Sequence, residues 1–63
     1  GSRFYKAIIK YWKSLLRPGG FLLFEVGEGQ AATVKDMLSS AGFRAVGSRL
    51  DTLNIERVVI GKM

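Results

Sequence analysis

The sequence predicts an α/β fold in the order helix, strand, helix, strand, strand, with all strands in one three-stranded mixed sheet. Three observations carry this. Apolar residues recur at helical spacing through residues 3–16. A breaker cluster, Leu16-Arg17-Pro18-Gly19-Gly20, runs straight into an apolar stretch at residues 21–26. A β-branched run, residues 57–62, closes the chain.

The first helix is expected over residues 3–16. Phe4, Ala7, Ile8, Tyr11, Trp12, Leu15 and Leu16 fall three or four apart and mark one face. That face is expected to be core, which makes Phe4, Tyr11 and Trp12 packing residues rather than stacking platforms. Lys6, Lys10, Lys13 and Arg17 form a second stripe. It reads as the solvated side of an amphipathic helix rather than a row of phosphate contacts. Ser2 is the expected N-cap. The first turn carries Arg3 and Lys6 but no acid, against the helix dipole, as if the helix began further upstream.

Pro18 lacks an amide donor and disfavours helix at Arg17, so the helix must stop there. Gly19 and Gly20 are expected to supply positive φ for a tight turn. The six residues 21–26 are apolar except Glu25 and read as a strand covered on both faces. Residues 27–30, Gly-Glu-Gly-Gln, form a loop at the carboxyl end of that strand, where open α/β sheets hold their ligands. The full G-x-G-x-x-G is missing, and Glu28 would put negative charge in an anion site, so the loop reads as a structural turn. Glu25 is either a buried carboxylate needing a partner or a strand-exit residue near solvent, paired with a nearby amide or arginine. The second reading is preferred. No histidine and no second acid at fixed spacing complete a general acid–base pair. Likewise, Ser14, Ser39, Ser40 and Ser48 have no histidine to activate them.

A second helix is expected over residues 31–41, with Ala31, Val34, Leu38 and Ala41 on its apolar side and Met37 beside them. Gly42 should end it in the left-handed conformation and bring Phe43 against Leu38. The next strand spans residues 43–50, with Val46 and Leu50 as its main apolar members and Gly47 weakening it. Asp51-Thr52-Leu53-Asn54 supplies the turn into the closing strand. The two last strands should be antiparallel, and the strand–helix–strand unit before them a right-handed crossover.

At 63 residues the chain is at most one small domain. A domain of this size buries only about 60% of the surface its unfolded chain exposes. It has no cysteine and no histidine, which removes disulfides and the usual zinc ligands. The absence of cysteine fits a cytoplasmic protein. The net charge of +5 allows an anionic partner, or an acidic portion elsewhere. No apolar run is long enough for a membrane span, and no signal pattern opens the chain. A strand covered on both faces in so short a chain points to a piece of a larger domain.

Several segments resemble one family. Phe4-Tyr5-Lys6-x-Ile8-Ile9, Leu16-Arg17-Pro18-Gly19-Gly20, Glu25-Val26-Gly27-x-x-Gln30, Gly42-Phe43 and Asp51-Thr52-Leu53-Asn54-x-x-Arg57-Val58-Val59 look like the HemK-like class I methyltransferases, which modify a glutamine of peptide-chain release factors. The likeness runs through nearly the whole chain and departs at Asn54, where the family has glycine. It implies that residues 1–63 are a partial domain, the C-terminal part of a Rossmann-like methyltransferase. The parent enzyme would use S-adenosylmethionine and act on a release factor. Its glycine-rich acidic cofactor loop and its Asn-Pro-Pro-Tyr tetrapeptide have no counterpart here. The segment is therefore expected to bind no cofactor and to have no activity alone, with no catalytic, cofactor or metal residues of its own.

Glu25 and Gln30 would lie at the edge of the parent's active site. By the same resemblance the last strand inserts antiparallel between the other two, both helices cover one face, and the opposite face and the edge beside residues 21–26 are bare. Such surfaces invite self-association. Two other readings stay open: a small basic α/β module for RNA or another anion, and the C-terminal piece of a different class I methyltransferase.

Overall fold

The computed structural model describes residues 2–63, without the side chain of Ser2; the expected Ser2 cap lies outside the described part. The order is α1 (Ser2–Lys13), β1 (Phe21–Glu25), α2 (Ala31–Ser40), β2 (Arg44–Leu50) and β3 (Glu56–Lys62). The strands stand in the order β1-β3-β2. β3 is antiparallel to both neighbours, with Phe24 opposite Val59 on one side and Ser48 opposite Val59 on the other. β1 and β2 therefore run the same way without touching. Every hydrogen-bonded pair is antiparallel, so the sheet is antiparallel rather than the mixed sheet expected, because β3 stands between the two strands that share a direction. The pairing of residues 21–26 and 46–50 with 58–60 is as expected.

One core holds the molecule together. Ile9, Phe24, Val26, Ala31, Val34, Leu38, Phe43 and Val59 are buried in it. It lies between the helices and one face of the sheet, and the smallest extent of the molecule, 15 Å, leaves room for one helical layer on that face. Leu22 and Phe24 of β1 point into the core; Phe21 and Leu23 point away and are 58% and 60% exposed. The strand expected to be covered on both faces is covered on one, because both helices share a side. Val26 is buried beyond the strand, its amide held by the Arg57 carbonyl at 2.7 Å.

The turn into β1 follows from its residues. The Gly20 amide donates to the Arg17 carbonyl at 2.9 Å, Pro18 takes the second position, and Gly19 has φ +86°. That is a type II turn. Gly20 does not have positive φ, contrary to expectation. It is glycine for space: a Cβ there would lie 3.0 Å from the Arg17 carbonyl oxygen.

Helix α1 ends three residues before the expected limit. The Ser14 hydroxyl donates to the Tyr11 carbonyl at 2.7 Å, and the Leu15 and Leu16 amides share the Trp12 carbonyl. The chain must reach an extended conformation at Arg17 before Pro18, so it unwinds early. The larger correction concerns orientation. Phe4, Tyr11, Trp12 and Leu15 are 65%, 63%, 43% and 56% exposed, so most of the expected core face looks outward, while Ile8 and Leu16 pack against the core as expected. α1 packs instead through Ile9, with Tyr5 and Ile8 partly buried. The Tyr5 ring meets Phe24 edge-on at 5.7 Å.

Helix α2 stops one residue early, with Ala41 as C-cap. Gly42 has φ +93°; its amide donates to Ser39 and that of Phe43 to Leu38, at 3.1 and 3.0 Å. This is the Schellman stop read from the sequence. Phe43 belongs to it rather than to β2. Inside β2, Ala45 has φ +50° and the register shifts between Arg44 and Gly47, a β-bulge. Leu50, expected to be a main apolar member, is 60% exposed at the strand's end. Asn54 has φ +62°, the left-handed conformation that asparagine tolerates best after glycine.

Candidate functional site

The carboxyl end of β1 passes into a turn closed by the Gln30 amide, which donates to the Gly27 carbonyl at 3.1 Å. Gly29 has φ +81° and sends the chain back towards α2. Gln30 then caps α2 through its carbonyl, which accepts the Val34 amide at 3.1 Å. Its side chain turns the other way. Gln30 Oε1 accepts the Tyr5 hydroxyl at 3.2 Å and lies 3.3 Å from where a Cβ of residue 27 would be. Gly27 is thus the floor on which the Gln30 amide rests.

Glu25 is the last residue of β1 and is exposed. Among the described residues it makes no ion pair and no side-chain hydrogen bond. The strand-exit position is as expected; the amide or arginine partner is not found. Glu25 and Gln30 flank one turn, and Tyr5 joins them from α1. Sequence reasoning singled out the first two and missed Tyr5, whose only signal was its place in the Phe-Tyr pair.

The closing amide of the turn and the Gln30 carbonyl oxygens are engaged within the chain, and no buried side-chain polar atom among the described residues is left without a partner. Among those residues there is no cluster of acids that could hold a metal ion, and no helix long and apolar enough to cross a membrane.

A second concave region lies between α1 and α2, a groove of about 700 Å³. Ile9 and Met37 floor it; Lys6, Lys10 and Lys13 line one wall and Asp36 the other. The basic stripe is solvated, as read from the sequence, yet three of its four members face this groove.

Two further carboxylates are bound tightly in place. Asp51 Oδ1 accepts the Leu53 and Ile55 amides at 2.7 and 3.0 Å, and Oδ2 accepts Arg57 Nε at 3.2 Å. The Ile55 amide chiefly, then the Leu53 amide and Arg57, hold its pKa below the ordinary value. Glu56 accepts the Ser48 hydroxyl and the Lys35 ammonium, the latter at 3.0 Å, and its pKa is lowered for those reasons in that order. Both carboxylates serve the β2–β3 connection and lie apart from the Gln30 turn.

The sequence that builds this fold, with its Pro-Gly-Gly-fed strand and a glutamine-capped helix behind it, is similar to sequences of methyltransferases. More particularly, the chain is similar to release factor glutamine methyltransferases. It is 41% identical to that of Geobacter sulfurreducens over all 63 residues, 35% identical to that of Clostridium acetobutylicum over 60, and 40% identical to that of Burkholderia pseudomallei over 58. It spans only about a fifth of the length of these curated relatives, 20–22%. No family model matches the chain. No solved structure matches it either.

Proposed function

We propose that these residues are the C-terminal part of a cytoplasmic, Rossmann-like methyltransferase that moves a methyl group from S-adenosylmethionine to a glutamine side-chain amide of a peptide-chain release factor. The supporting observation is that six curated relatives, 33–43% identical to the chain, all carry the name release factor glutamine methyltransferase. The Glu25 and Gln30 turn is then the edge of the parent's active site. Within it, Tyr5 holds the Gln30 carbonyl oxygen and leaves the amide nitrogen free to donate. The chain alone is inactive and binds no cofactor, since the sequence has neither an acidic glycine-rich loop nor Asn-Pro-Pro-Tyr.

The test has two arms. The gene from which the chain comes should encode Asn-Pro-Pro-Tyr upstream; its absence would sink the glutamine-specific reading. Labelled S-adenosylmethionine and a release factor should give methylated product with the longer gene product and none with the 63 residues.

The lysine groove favours a second reading, a basic module holding RNA or another anion. An RNA oligomer should then bind with affinity falling steeply as salt rises. Absence of binding at low salt removes this reading.

A further inference from the structure

Gln30 spends all but one of its polar groups inside the chain. Its backbone amide donates to Gly27, its backbone carbonyl accepts from Val34, and its Oε1 accepts the Tyr5 hydroxyl. The remaining group, the Nε2 amine of the side chain, meets no acceptor among the described residues.

That side-chain amide is fixed from two sides. On one, the Tyr5 ring packs edge-on against the buried Phe24, so its hydroxyl arrives from a set direction. On the other lies Gly27. Its φ is not positive, so the backbone there does not call for glycine. A Cβ would instead press on Gln30 Oε1 at 3.3 Å, and the missing side chain is the space the amide fills. A bond that merely stapled α1 to α2 would need no such bare floor. An amide can turn over and exchange its acceptor for its donor at one place. With Oε1 on the Tyr5 hydroxyl and against Gly27, the end left to bond outward is Nε2, which only donates.

We propose that Tyr5 is a positioning residue for substrate: by holding Gln30 Oε1 it presents Nε2 to a carbonyl oxygen of the peptide that carries the glutamine to be methylated. This rests on the reading of the Gln30 turn as the edge of the parent's active site. The turn follows the carboxyl end of β1, the side on which open α/β sheets take their ligands. A peptide entering there leaves water, and each carbonyl oxygen that does so needs a donor in exchange. Nε2 is uncharged, so it suits a carbonyl better than a phosphate or a carboxylate, which call for charged donors. The acceptor is not the reacting nitrogen. The bond is therefore the same before and during methyl transfer, and its loss is read in KM and not in kcat.

The test uses the longer gene product, a release factor and labelled S-adenosylmethionine. If the wild type forms no methylated product, the underlying reading fails and takes the inference with it. Given activity, Gln30→Ala should raise KM for the release factor about tenfold, the loss of one hydrogen bond. Its kcat and its KM for S-adenosylmethionine should not change. Gln30→Glu keeps the length of the side chain but puts an acceptor where the donor stands, and should raise KM further. Tyr5→Phe and Gly27→Ala, which release or displace the amide, should each raise it about threefold.

The decisive comparison adds Tyr5→Phe to Gln30→Ala. KM should not rise again, because the hydroxyl acts through an amide that is gone. A second rise overturns the inference, since Tyr5 would then act by some other route. An unchanged KM in both Gln30→Ala and Gln30→Glu overturns it as well. With a lowered melting temperature, that result would show Nε2 bonded to another part of the parent instead of to substrate.

Discussion

The Tyr5 hydroxyl donates to Gln30 Oε1 across 3.2 Å and ties the first helix to the cap of the second, 25 residues away. The same ring packs edge-on against Phe24, so one side chain links α1, β1 and α2. Tyr5→Phe keeps the ring contact and loses the bond, and should lower stability by about 0.5–1 kcal/mol in urea unfolding. Tyr5→Ala should lose about 1 kcal/mol more, with the ring contact. Equal midpoints for wild type and Tyr5→Phe would contradict the bond.

Gly42 and Gly47 make a contrasting pair. Gly42 stands at φ +93°, whereas Gly47 has no positive φ and nothing within 4 Å of where a Cβ would stand. Gly42→Ala should cost about 1–2 kcal/mol through left-handed strain. Gly47→Ala should stay within about 0.5 kcal/mol of wild type. Thermal unfolding of the two variants side by side decides the matter; matching losses would refute the Schellman geometry.

The orientation of α1 gives a third expectation. Ile9 is 3% exposed and Tyr11 63%. Ile9→Ala should remove about 2–5 kcal/mol, enough to unfold much of so small a domain. Tyr11→Ser should change stability by no more than about 0.5 kcal/mol. If the sequence periodicity had set the buried face, Tyr11→Ser would be the damaging change.

Acid should destabilise the chain through Asp51 and Glu56. Both have folded pKa values below their ordinary ones, so the unfolded chain takes up protons first as pH falls. Their contribution is complete above the ordinary carboxylate range, about pH 4, and is lost progressively as pH drops through and below it. Urea midpoints measured across that range should fall towards low pH, and Asp51→Asn should flatten the slope. An unchanged slope in both Asp51→Asn and Glu56→Gln would show that these contacts carry no proton linkage.

Local chemistry in this chain was legible, as was the buried side of α2 through Ala31, Val34 and Leu38, and the facing of α1 was not. Pro18 with Gly19, Gly42 with Phe43, and Asn54 each stand in the conformation their residue types favour, and the element order follows from them. The buried side of α1 was not legible, because a helical pattern records which face is apolar and not which face has something to pack on. α2 and β1 offer Phe24, Ala31 and Val34 beside Ile9, and the richer aromatic stripe looks away from them. The bulge at Ala45 escaped notice because alanine carries no signal for positive φ. At the Gln30 turn the glycines announced a loop. That Gln30 fills it, with Tyr5 as its donor, depended on two residues brought together only by the finished fold.

Strand β3 follows both of its neighbours in sequence yet stands between them. A ribosome delivers residues at roughly 5–20 per second, in chain order. Until residues 56–62 emerge, β1 and β2 lack the strand that joins them, and the Schellman stop of α2 has no Gly61 beneath it. These three strands are thus joined by insertion rather than by addition at a margin, and they depend on the latest-made of the three as an arch depends on its keystone.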